Sequence, residues 1–428
     1  MELSPPTSYS RRASIVLFPR IPKSSSPERV VVTGAGVVTS LGIGWLANEA
    51  GFRAGRTAFR PVTLFDVSRQ RAKTAAEIDV PAELPENSLS EKARSRLDRA
   101  TRILLLAAHE AWARASLGSS ENIPVVLGTT SGGMALGEAY SRQTLDRPKT
   151  NWRQATRLAH YQAQLQALEL GQALGFKSQV TILANACASG ANAIGYAFEM
   201  LRHGNADVVM AGGYDALCQL TFAGFDSLQA LSCTTCRPFD ARRDGLSLGE
   251  GAAVLILETL DHARKRNAGI LGEIAGYGAV TDTHHLTQPH PEGAAAYLSM
   301  QKACDCARVT SAQIDYVNAH GTATIQNDAT EALAINRWAG ACAAKVSVSS
   351  SKGNVGHLLG GAGAVGALTC LMALRGQWLP PQAGLTEPEP LCQFQLVRSP
   401  TDARVTLAAA NSFGFGGANA TLILRRWP

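Results

Sequence analysis

The stretch from residue 180 to residue 201 constrains the fold most, because an apolar strand passes through a turn of very small residues into a helix. Val180–Ala186 is predicted to form a buried strand, and apolar residues at helical spacing predict a helix over Ala188–Leu201. Cys187 lies at the junction, where the free N–H groups of a helix start would favour the thiolate and lower the thiol pKa. This placement favours a nucleophile. On base rates, however, this stretch taken alone favours a buried structural cysteine over a nucleophile, and only the rest of the chain reverses that balance.

A second stretch repeats the pattern nearer the C-terminus. A strand over Lys345–Ser350 enters a turn over Ser351–Gly356, and a helix of small and apolar residues follows over Gly360–Leu374. Strands and helices alternate elsewhere, so we predict an α/β protein with mixed sheets covered by helices. The faint similarity predicts two halves of like architecture, residues 29–262 with the cysteine and residues 263–428, after a flexible leader over residues 1–28.

Composition limits the partners and the compartment. The formal charge is +6, but Met1–Arg29 carries five Lys or Arg residues against two Asp or Glu residues, so the body is too weakly basic to predict nucleic-acid binding. Nine scattered cysteines favour a reducing compartment such as the cytoplasm. A basic leader leaves an organellar transit peptide open. The apolar run at Gly360–Leu374 is short for a membrane span, and we expect a buried helix there.

Three further patterns bear on a dinucleotide cofactor, a metal and an acidic partner. Gly34 and Gly36 follow the predicted first strand, but the third glycine of a dinucleotide-binding turn is missing. Cys233 and Cys236 form a lone CxxC, which lacks the two further ligands of a zinc site, so no metal is expected. A long helix is predicted from Ser90 to Ala115, with Lys and Arg residues along one side that are either solvated or a docking surface for an acidic partner.

Three strand-end turns carry reactive side chains, and a fourth offers bare backbone. In chain order the three turns contain Cys187, His320, and Lys352 with His357. The fourth is the glycine turn at Gly414–Gly417. Strand-end loops of α/β folds gather on one face, so we expect these groups to meet. One histidine beside a cysteine would suit acyl transfer of the protease type. Two imidazoles instead suit paired hydrogen bonds to a thioester carbonyl as an enolate forms, which predicts carbon–carbon bond formation on acyl thioesters.

The residue motifs of these turns, and their order along the chain, resemble those of the β-ketoacyl-[acyl-carrier-protein] synthases of the thiolase superfamily, specifically the elongating Cys-His-His type. The resemblance rests on Asn185-Ala-Cys187-Ala-Ser-Gly190, His320-Gly-Thr-Ala-Thr324, Lys352 with Gly356-His357, and Asn411-Ser-Phe-Gly-Phe-Gly-Gly417. It extends from about Val30 to the C-terminus. The resemblance implies a duplicated five-layer αβαβα fold, a homodimer, an acidic acyl carrier protein as partner, and no cofactor beyond the phosphopantetheine that this carrier bears.

The resemblance also implies a role for each matching residue. Cys187 would take the acyl chain, with its carbonyl oxygen between the N–H groups of Cys187 and Phe415. His320 and His357 would support decarboxylation of malonyl-carrier protein and stabilise the enolate, while Lys352 would tune them electrostatically. Substrate or pantetheine binding would fall on Thr322, Thr324, Phe415, Gly416 and Gly417, and the charge near the site would come from Asp328 and Glu331. The arginines of the helix that begins at Ser90, and those at Arg264–Arg266, become two candidate patches for docking the acidic carrier protein, between which the sequence does not select.

Departures from the family pattern leave alternatives open. Gly366 stands where fatty-acid synthases generally place a Glu near the Lys, so Asp328 or Glu331 is expected to neutralise Lys352. This stretch is similar to polyketide ketosynthases, which leaves a type II polyketide ketosynthase, or a heterodimer with a related subunit, as alternatives to fatty-acid elongation. A non-catalytic chain-length partner is disfavoured by the intact Cys187. A degradative thiolase would need a second cysteine near the glycine turn.

Overall fold

The computed structural model describes residues 28–118, 122–147 and 161–428. The predicted leader lies outside the described residues except for Glu28. The sequence also predicts a helical region over Arg153–Ala173; its first part lies outside the described residues, and the helix described there runs from Ala163 to Leu174.

Sixteen strands and twelve helices make up the described chain. The strands are β1 Val30–Thr39, β2 Gly42–Ile43, β3 Arg60–Pro61, β4 Thr74–Ala75, β5 Val125–Gly128, β6 Val180–Leu183, β7 Val208–Asp215, β8 Gly251–Thr259, β9 Gly272–Thr281, β10 Tyr316–Asn318, β11 Ser347–Ser349, β12 Trp378–Leu379, β13 Gln395–Leu396, β14 Thr401–Asp402, β15 Leu407–Phe413 and β16 Ala418–Arg425. The helices are α1 Trp45–Arg53, α2 Glu91–Arg94, α3 Arg99–Ala115, α4 Met134–Asp146, α5 Ala163–Leu174, α6 Ser189–Arg202, α7 Gln219–Ser227, α8 Leu260–Lys265, α9 Ala294–Ala307, α10 Ile325–Ala339, α11 Lys352–Val355 and α12 Ala362–Gly376.

The main sheet consists of two five-stranded halves with the same strand pattern. One half runs β6-β5-β7-β8-β1, and the other runs β11-β10-β15-β16-β9 with β13 added at its edge. In each half the first two pairings are parallel and the next two are antiparallel. A short antiparallel pairing of Val30–Val32 with Gly272–Ile274 joins the halves. The predicted duplication is therefore present in the strand order.

Helices α6 and α12 lie between the two halves of the sheet and form the middle layer. Their buried residues share one apolar cluster with the inner faces of both halves. A second cluster packs α3 and α5 on the outside of the N-terminal half, and a third packs α9 and α10 on the outside of the C-terminal half. The predicted five-layer α/β fold is confirmed, because burial on both faces of each half-sheet requires helices on both sides.

The predicted apolar run falls within the middle layer. Leu359–Gly376 is the one segment of the described chain that is long and apolar enough to cross a membrane, and 89% of it is buried inside the protein. It has the burial expected of a core helix.

Several predicted boundaries were wrong. The helix expected from Ser90 to Ala115 is two helices, because Ser90 caps α2 and Asp98 starts α3 with its own side-chain cap. The strand expected through Ala186 ends at Leu183, and β6 is only half-buried because it lies at the sheet edge. Strand β1 continues through Gly34, where a Cβ would lie 2.1 Å from the Ala111 carbonyl oxygen. The glycine therefore allows the close approach of α3 and does not form a nucleotide-binding turn.

Candidate active site

The three reactive turns meet where the fold brings the corresponding strand ends together. Cys187 lies in a 3₁₀ turn between β6 and α6, His320 follows β10, and His357 follows β11 and α11. The sulfur and one nitrogen of each ring lie within 4.8 Å of one another. The two rings are nearly perpendicular, with centroids 5.4 Å apart. All three side chains are buried, with at most 6% exposed.

Two backbone N–H groups lie beside the Cys187 sulfur. The N–H groups of Cys187 and Phe415 donate to the Cys187 sulfur. The glycine turn approaches the Cys187 backbone closely, since a Cβ on Gly414 would lie only 3.2 Å from the Cys187 nitrogen. Glycine at this position allows that approach. Ser412 Oγ donates to the Cys187 carbonyl at 2.8 Å and anchors β15 to this turn. These two N–H groups can form an oxyanion hole for an acyl group on the sulfur.

The sequence-based expectation for the thiol pKa was wrong in sign. Burial raises the pKa of Cys187 to about 11, although the positive charge of Lys352 and the N–H groups of Phe415 and Cys187 lower it. The helix start acts within one turn, whereas the loss of water acts on the whole thiolate. The Cys187 thiol is therefore protonated at neutral pH.

Both histidines are neutral for a related reason. Burial lowers the pKa of His320 and His357 well below the usual value, and the nearby charge of Lys352 lowers both further. The Leu359 N–H donates to His357 Nδ1 at 3.0 Å, so the ring proton of the neutral form lies on Nε2. His357 can therefore donate a hydrogen bond from Nε2.

The same hydrogen bond argues against a metal at the Cys187–His320–His357 cluster. A metal on His357 Nε2 would need the proton on Nδ1, which would then face the Leu359 N–H group. The ring set suits an oxygen that gains negative charge better than it suits a cation.

Lys352 lies buried beside the rings, and burial lowers its pKa. Glu331 is the carboxylate that raises this pKa most, ahead of Asp328, but neither carboxylate lies within 4 Å of the ammonium in the described chain. Glu331 instead accepts from the His320 and Gly321 N–H groups at 2.8 and 2.7 Å. Both expected carboxylates are therefore near Lys352 without forming an ion pair with it.

The two acidic residues fix the His320 turn. Asp328 accepts from the Phe239 N–H at 2.7 Å and from the Ala323 N–H at 3.1 Å. Burial raises the pKa of Glu331 to about 6 and also raises the pKa of Asp328. At Gly366 a Cβ would lie 2.9 Å from Asn318 Oδ1, so a carboxylate side chain there would require the Asn318 side chain to shift.

A cavity of about 450 Å³ leads from the surface to Cys187. The hydroxyls of Thr322 and Thr324 line it and lie 2.9 Å apart. Phe415 also lines it, is 37% exposed, and stacks on Phe225 with ring centroids 5.9 Å apart. The expected binding residues Thr322, Thr324, Phe415 and Gly417 therefore lie in one channel.

The loop over residues 282–290 was missed by the sequence reasoning. The Asp282 N–H donates to the Gly417 carbonyl at 2.7 Å, and the Gly416 N–H donates to the Leu286 carbonyl at 2.7 Å. A Cβ on Gly417 would lie 1.9 Å from the Asp282 carbonyl oxygen, and its φ of 83° also requires glycine. His285 and Leu286 line the channel mouth. A loop that acts through backbone contacts leaves no reactive residue pattern in the sequence.

Comparisons with known proteins agree with this geometry. Residues 27–263 match the family described as "Beta-ketoacyl synthase, N-terminal domain", and residues 271–386 match "Beta-ketoacyl synthase, C-terminal domain". The chain belongs to the β-ketoacyl synthase family. The resemblance that the motifs indicated is thereby confirmed.

Individual β-ketoacyl synthases match along nearly the full chain. A 3-oxoacyl-[acyl-carrier-protein] synthase 2 of Synechocystis sp. is 36% identical over 416 residues, covering 94% of this chain and 98% of that protein. Among solved structures, the ishigamide ketosynthase/chain length factor superposes with a TM-score of 0.87 at 34% identity, covering 94% of this chain and 100% of that chain. A type II polyketide ketosynthase in complex with its acyl-carrier protein superposes with a TM-score of 0.84 at 26% identity, with the same coverage.

Proposed function

We propose that this protein is a 3-oxoacyl-[acyl-carrier-protein] synthase, which joins an acyl group carried on Cys187 to malonyl-carrier protein in fatty-acid-type chain elongation. One observation carries the proposal most directly. The thiol and two neutral imidazoles lie within 4.8 Å of one another, beside two N–H groups that point at the sulfur. A related protein over almost the same length bears this activity in its name.

The first step loads the acyl chain. The Cys187 sulfur attacks the carbonyl carbon of the acyl thioester, the bond from that carbon to the carrier sulfur breaks, and the thiol proton passes to the departing thiolate. The tetrahedral oxyanion lies between the N–H groups of Cys187 and Phe415, which already point at the sulfur. Because the thiol pKa is about 11, we expect deprotonation to accompany the attack rather than precede it.

The second step makes the carbon–carbon bond. The malonyl thioester loses CO₂, and the electron pair of the broken bond forms an enolate whose oxygen accepts hydrogen bonds from the two rings. His357 donates through Nε2, and His320 is the second donor. The enolate carbon attacks the acyl carbonyl on Cys187, and the sulfur leaves as a thiolate that takes up a proton from water. Neutral imidazoles serve this step well because they stabilise the charge without protonating the carbanion.

The carrier's phosphopantetheine arm fits the channel, and no other cofactor is needed for this chemistry. Thr322, Thr324 and Gly417 line the channel, and Gly416 lies outside the lining but holds the neighbouring loop through its N–H, which donates to the Leu286 carbonyl. Phe415 lines the same channel as Cys187 and is proposed to gate entry of the acyl chain.

Charge placement favours α2 over α8 as the docking surface for the acidic carrier. Lys92, Arg94 and Arg96 are exposed and form no ion pair among the described residues, whereas Arg99 binds Glu250. Glu250 lies just before β8, opposite the end of β7, so α2 is at the active-site end of the sheet. Helix α8 follows the far end of β8. Complementary charge at the channel end would speed encounter with an acidic partner.

A homodimer is proposed, with a heterodimer as the second arrangement. The half-buried β6 forms an edge of the sheet, which offers unpaired backbone groups to another chain. A polyketide ketosynthase is the second candidate function. It is favoured by Gly366 and by the likeness to the ketosynthase/chain length factor structure.

Mass spectrometry tests the proposal and separates the two functions. The purified protein is incubated with a panel of saturated acyl- and polyketide-type acyl-carrier proteins, and malonyl-carrier protein is then added. We expect saturated chains to load on Cys187 and to grow by one two-carbon unit with loss of CO₂. Cys187→Ala should remain unloaded, and Cys218→Ala, which removes another buried thiol, should load normally. Preferential extension of β-keto chains would select the polyketide function, and failure of every chain to load would reject both.

The cytoplasm is the proposed compartment. All nine cysteines are free thiols, as a reducing environment requires. Fractionation of cells expressing the full chain, with and without residues 1–28, tests this; import into an organelle that depends on those residues would reject it.

A further inference from the structure

Asp215, the last residue of β7, is fully buried and has no role in the steps above. Its carboxylate accepts from Thr129 Oγ1 at 2.6 Å, from the Ser131 N–H at 2.8 Å and from the Thr130 N–H at 2.9 Å. It also accepts from the Gly360 N–H at 2.6 Å. One side chain thus joins the turn after β5 to the turn that leads from His357 into α12.

This carboxylate has no cationic partner within ion-pair distance among the described residues. Burial raises its pKa to about 6, while the Thr129 hydroxyl and the surrounding N–H groups lower it. A buried ionised group without a counter-ion is costly, so its hydrogen bonds must offset much of that cost. Retaining such a group next to reactive residues is typical of functional sites.

The turns that Asp215 joins are in direct backbone contact. A Cβ on Gly360 would lie 2.6 Å from the Thr129 Cα. A Cβ on Gly190, in the helix after Cys187, would lie 2.6 Å from the Gly360 carbonyl oxygen, and one on Gly213 would lie 2.8 Å from it. Glycines at this crossing allow the nucleophile helix and the histidine-bearing turn to touch, and Asp215 supplies the hydrogen bonds that hold them there.

The link to the reaction passes through two consecutive N–H groups. The Leu359 N–H donates to His357 Nδ1, and the next N–H, that of Gly360, donates to Asp215. The backbone of His357 is also fixed, because its own N–H donates to the Ser247 carbonyl at 2.7 Å. Resting on the proposed function, we infer that Asp215 is a positioning residue for condensation, which fixes the Leu359–Gly360 turn and thereby the His357 ring relative to Cys187.

Asp215 also acts on Cys187 through its charge. Its negative charge raises the thiol pKa, whereas the positive charge of Lys352 lowers it. Loss of the carboxylate charge should therefore make the thiol easier to ionise even as the histidine turn loosens. A residue with only a packing role would not shift these two properties in opposite directions.

Asp215→Asn tests the inference, because it keeps the shape, removes the charge and turns one acceptor into a donor that faces N–H groups. Acyl loading of Cys187 and extension by malonyl-carrier protein are measured separately, together with the rate of Cys187 alkylation by iodoacetamide at pH 8. We expect extension per loaded enzyme to fall roughly 100-fold, as for a misplaced catalytic group. We expect alkylation to become several-fold faster, since it follows the thiolate fraction.

Thr129→Val is the matched control, because it removes one hydrogen bond to the same carboxylate and keeps its charge. It should slow extension by several-fold without faster alkylation, and it carries the test if the Asp215 variant does not fold. Wild-type extension is measured first, so that its absence rejects the proposed function and not this inference. Given an active wild type, normal extension by the folded Asp215→Asn variant, or equal loss of loading and extension, would overturn the inference. If that variant does not fold, wild-type extension by Thr129→Val would overturn it.

Discussion

The turn after β6 and the turn after β11 occupy equivalent places in the two halves, yet they differ in local structure and in the side chains that they present. The nucleophile turn contains only small residues around Cys187 and relies on N–H groups that other segments supply or share. The histidine turn contains its own short helix, α11, and brings Lys352 and His357 together. The same architecture thus presents a thiol in one half and a hydrogen-bond-donating imidazole in the other.

Burial acts on both turns and produces neutral groups on each. It raises the pKa of the Cys187 thiol, an acid whose charged form is an anion, and lowers the pKa of His357, whose charged form is a cation. The comparison teaches that desolvation, and not the helix start, decides the resting protonation at this site. The reaction then begins from uncharged partners.

The largest effect that would distinguish the two turns is expected from His357→Ala. The variant should load an acyl group on Cys187 at a rate within about threefold of wild type, but extension should fall roughly 10²- to 10³-fold, the usual cost of one oxyanion donor. Intact-mass measurement of the loaded enzyme and assay of released CO₂ check the two steps separately. His203→Ala changes an exposed histidine and should leave both steps unchanged. Extension at the wild-type rate would contradict the assigned role of His357.

A second prediction concerns the contact between the turns. Gly360→Ala places a Cβ 2.6 Å from the Thr129 Cα and from the Thr130 nitrogen, which are backbone atoms that cannot move independently. We expect the free energy of unfolding to fall by about 1–3 kcal/mol, as for an overpacked core. Denaturant unfolding of the full chain measures it.

Gly224→Ala is the control for that substitution, because nothing lies within 4 Å of its Cβ and the residue lies inside α7. It should raise stability by roughly 0.5–1 kcal/mol. Equal effects of the two substitutions would show that the turns do not press on each other.

The sequence predicted which side chains come together at the site better than it predicted their protonation and surroundings. Cys187, His320, Lys352 and His357 could be found because each is a reactive side chain in a turn of small residues after a strand. The duplicated α/β order followed from alternating strand and helix patterns. The thiol pKa could not be predicted, since it depends on water exclusion by segments more than 100 residues away.

The missed residues share a different property, which is that their partners are backbone groups. Asp215 is a single acid at the end of an apolar strand, and its five donors come from residues 129–132 and 360. Asp282 acts on Gly417 through its own N–H group. No residue pattern encodes such contacts, because any side chain can bear the donating backbone.

Lys352→Met is the third prediction, and it separates burial from charge as the cause of thiol reactivity. Below a pKa of about 11 the thiolate fraction rises tenfold per pH unit, so wild-type alkylation of Cys187 should rise by about that factor per unit from pH 7 to pH 10. The ammonium favours the thiolate, so its loss should slow alkylation at pH 7.5 by roughly 3- to 10-fold. Iodoacetamide kinetics followed by mass spectrometry measure both. An unchanged rate in the variant would assign the pKa to burial alone.

The smallest effect is expected outside both turns, at the carrier surface. Replacing Lys92, Arg94 and Arg96 together with Ser should raise the KM for malonyl-carrier protein about threefold at low salt, because exposed charges steer an acidic partner only weakly and are screened by ions. Because neither turn is touched, kcat and Cys187 alkylation should stay at wild-type values. Arg264 and Lys265 on α8 are equally exposed but lie at the opposite end of β8, so their replacement with Ser is the matched control. A larger rise in KM from the α8 pair than from the α2 set would move the docking surface to the far end of the sheet.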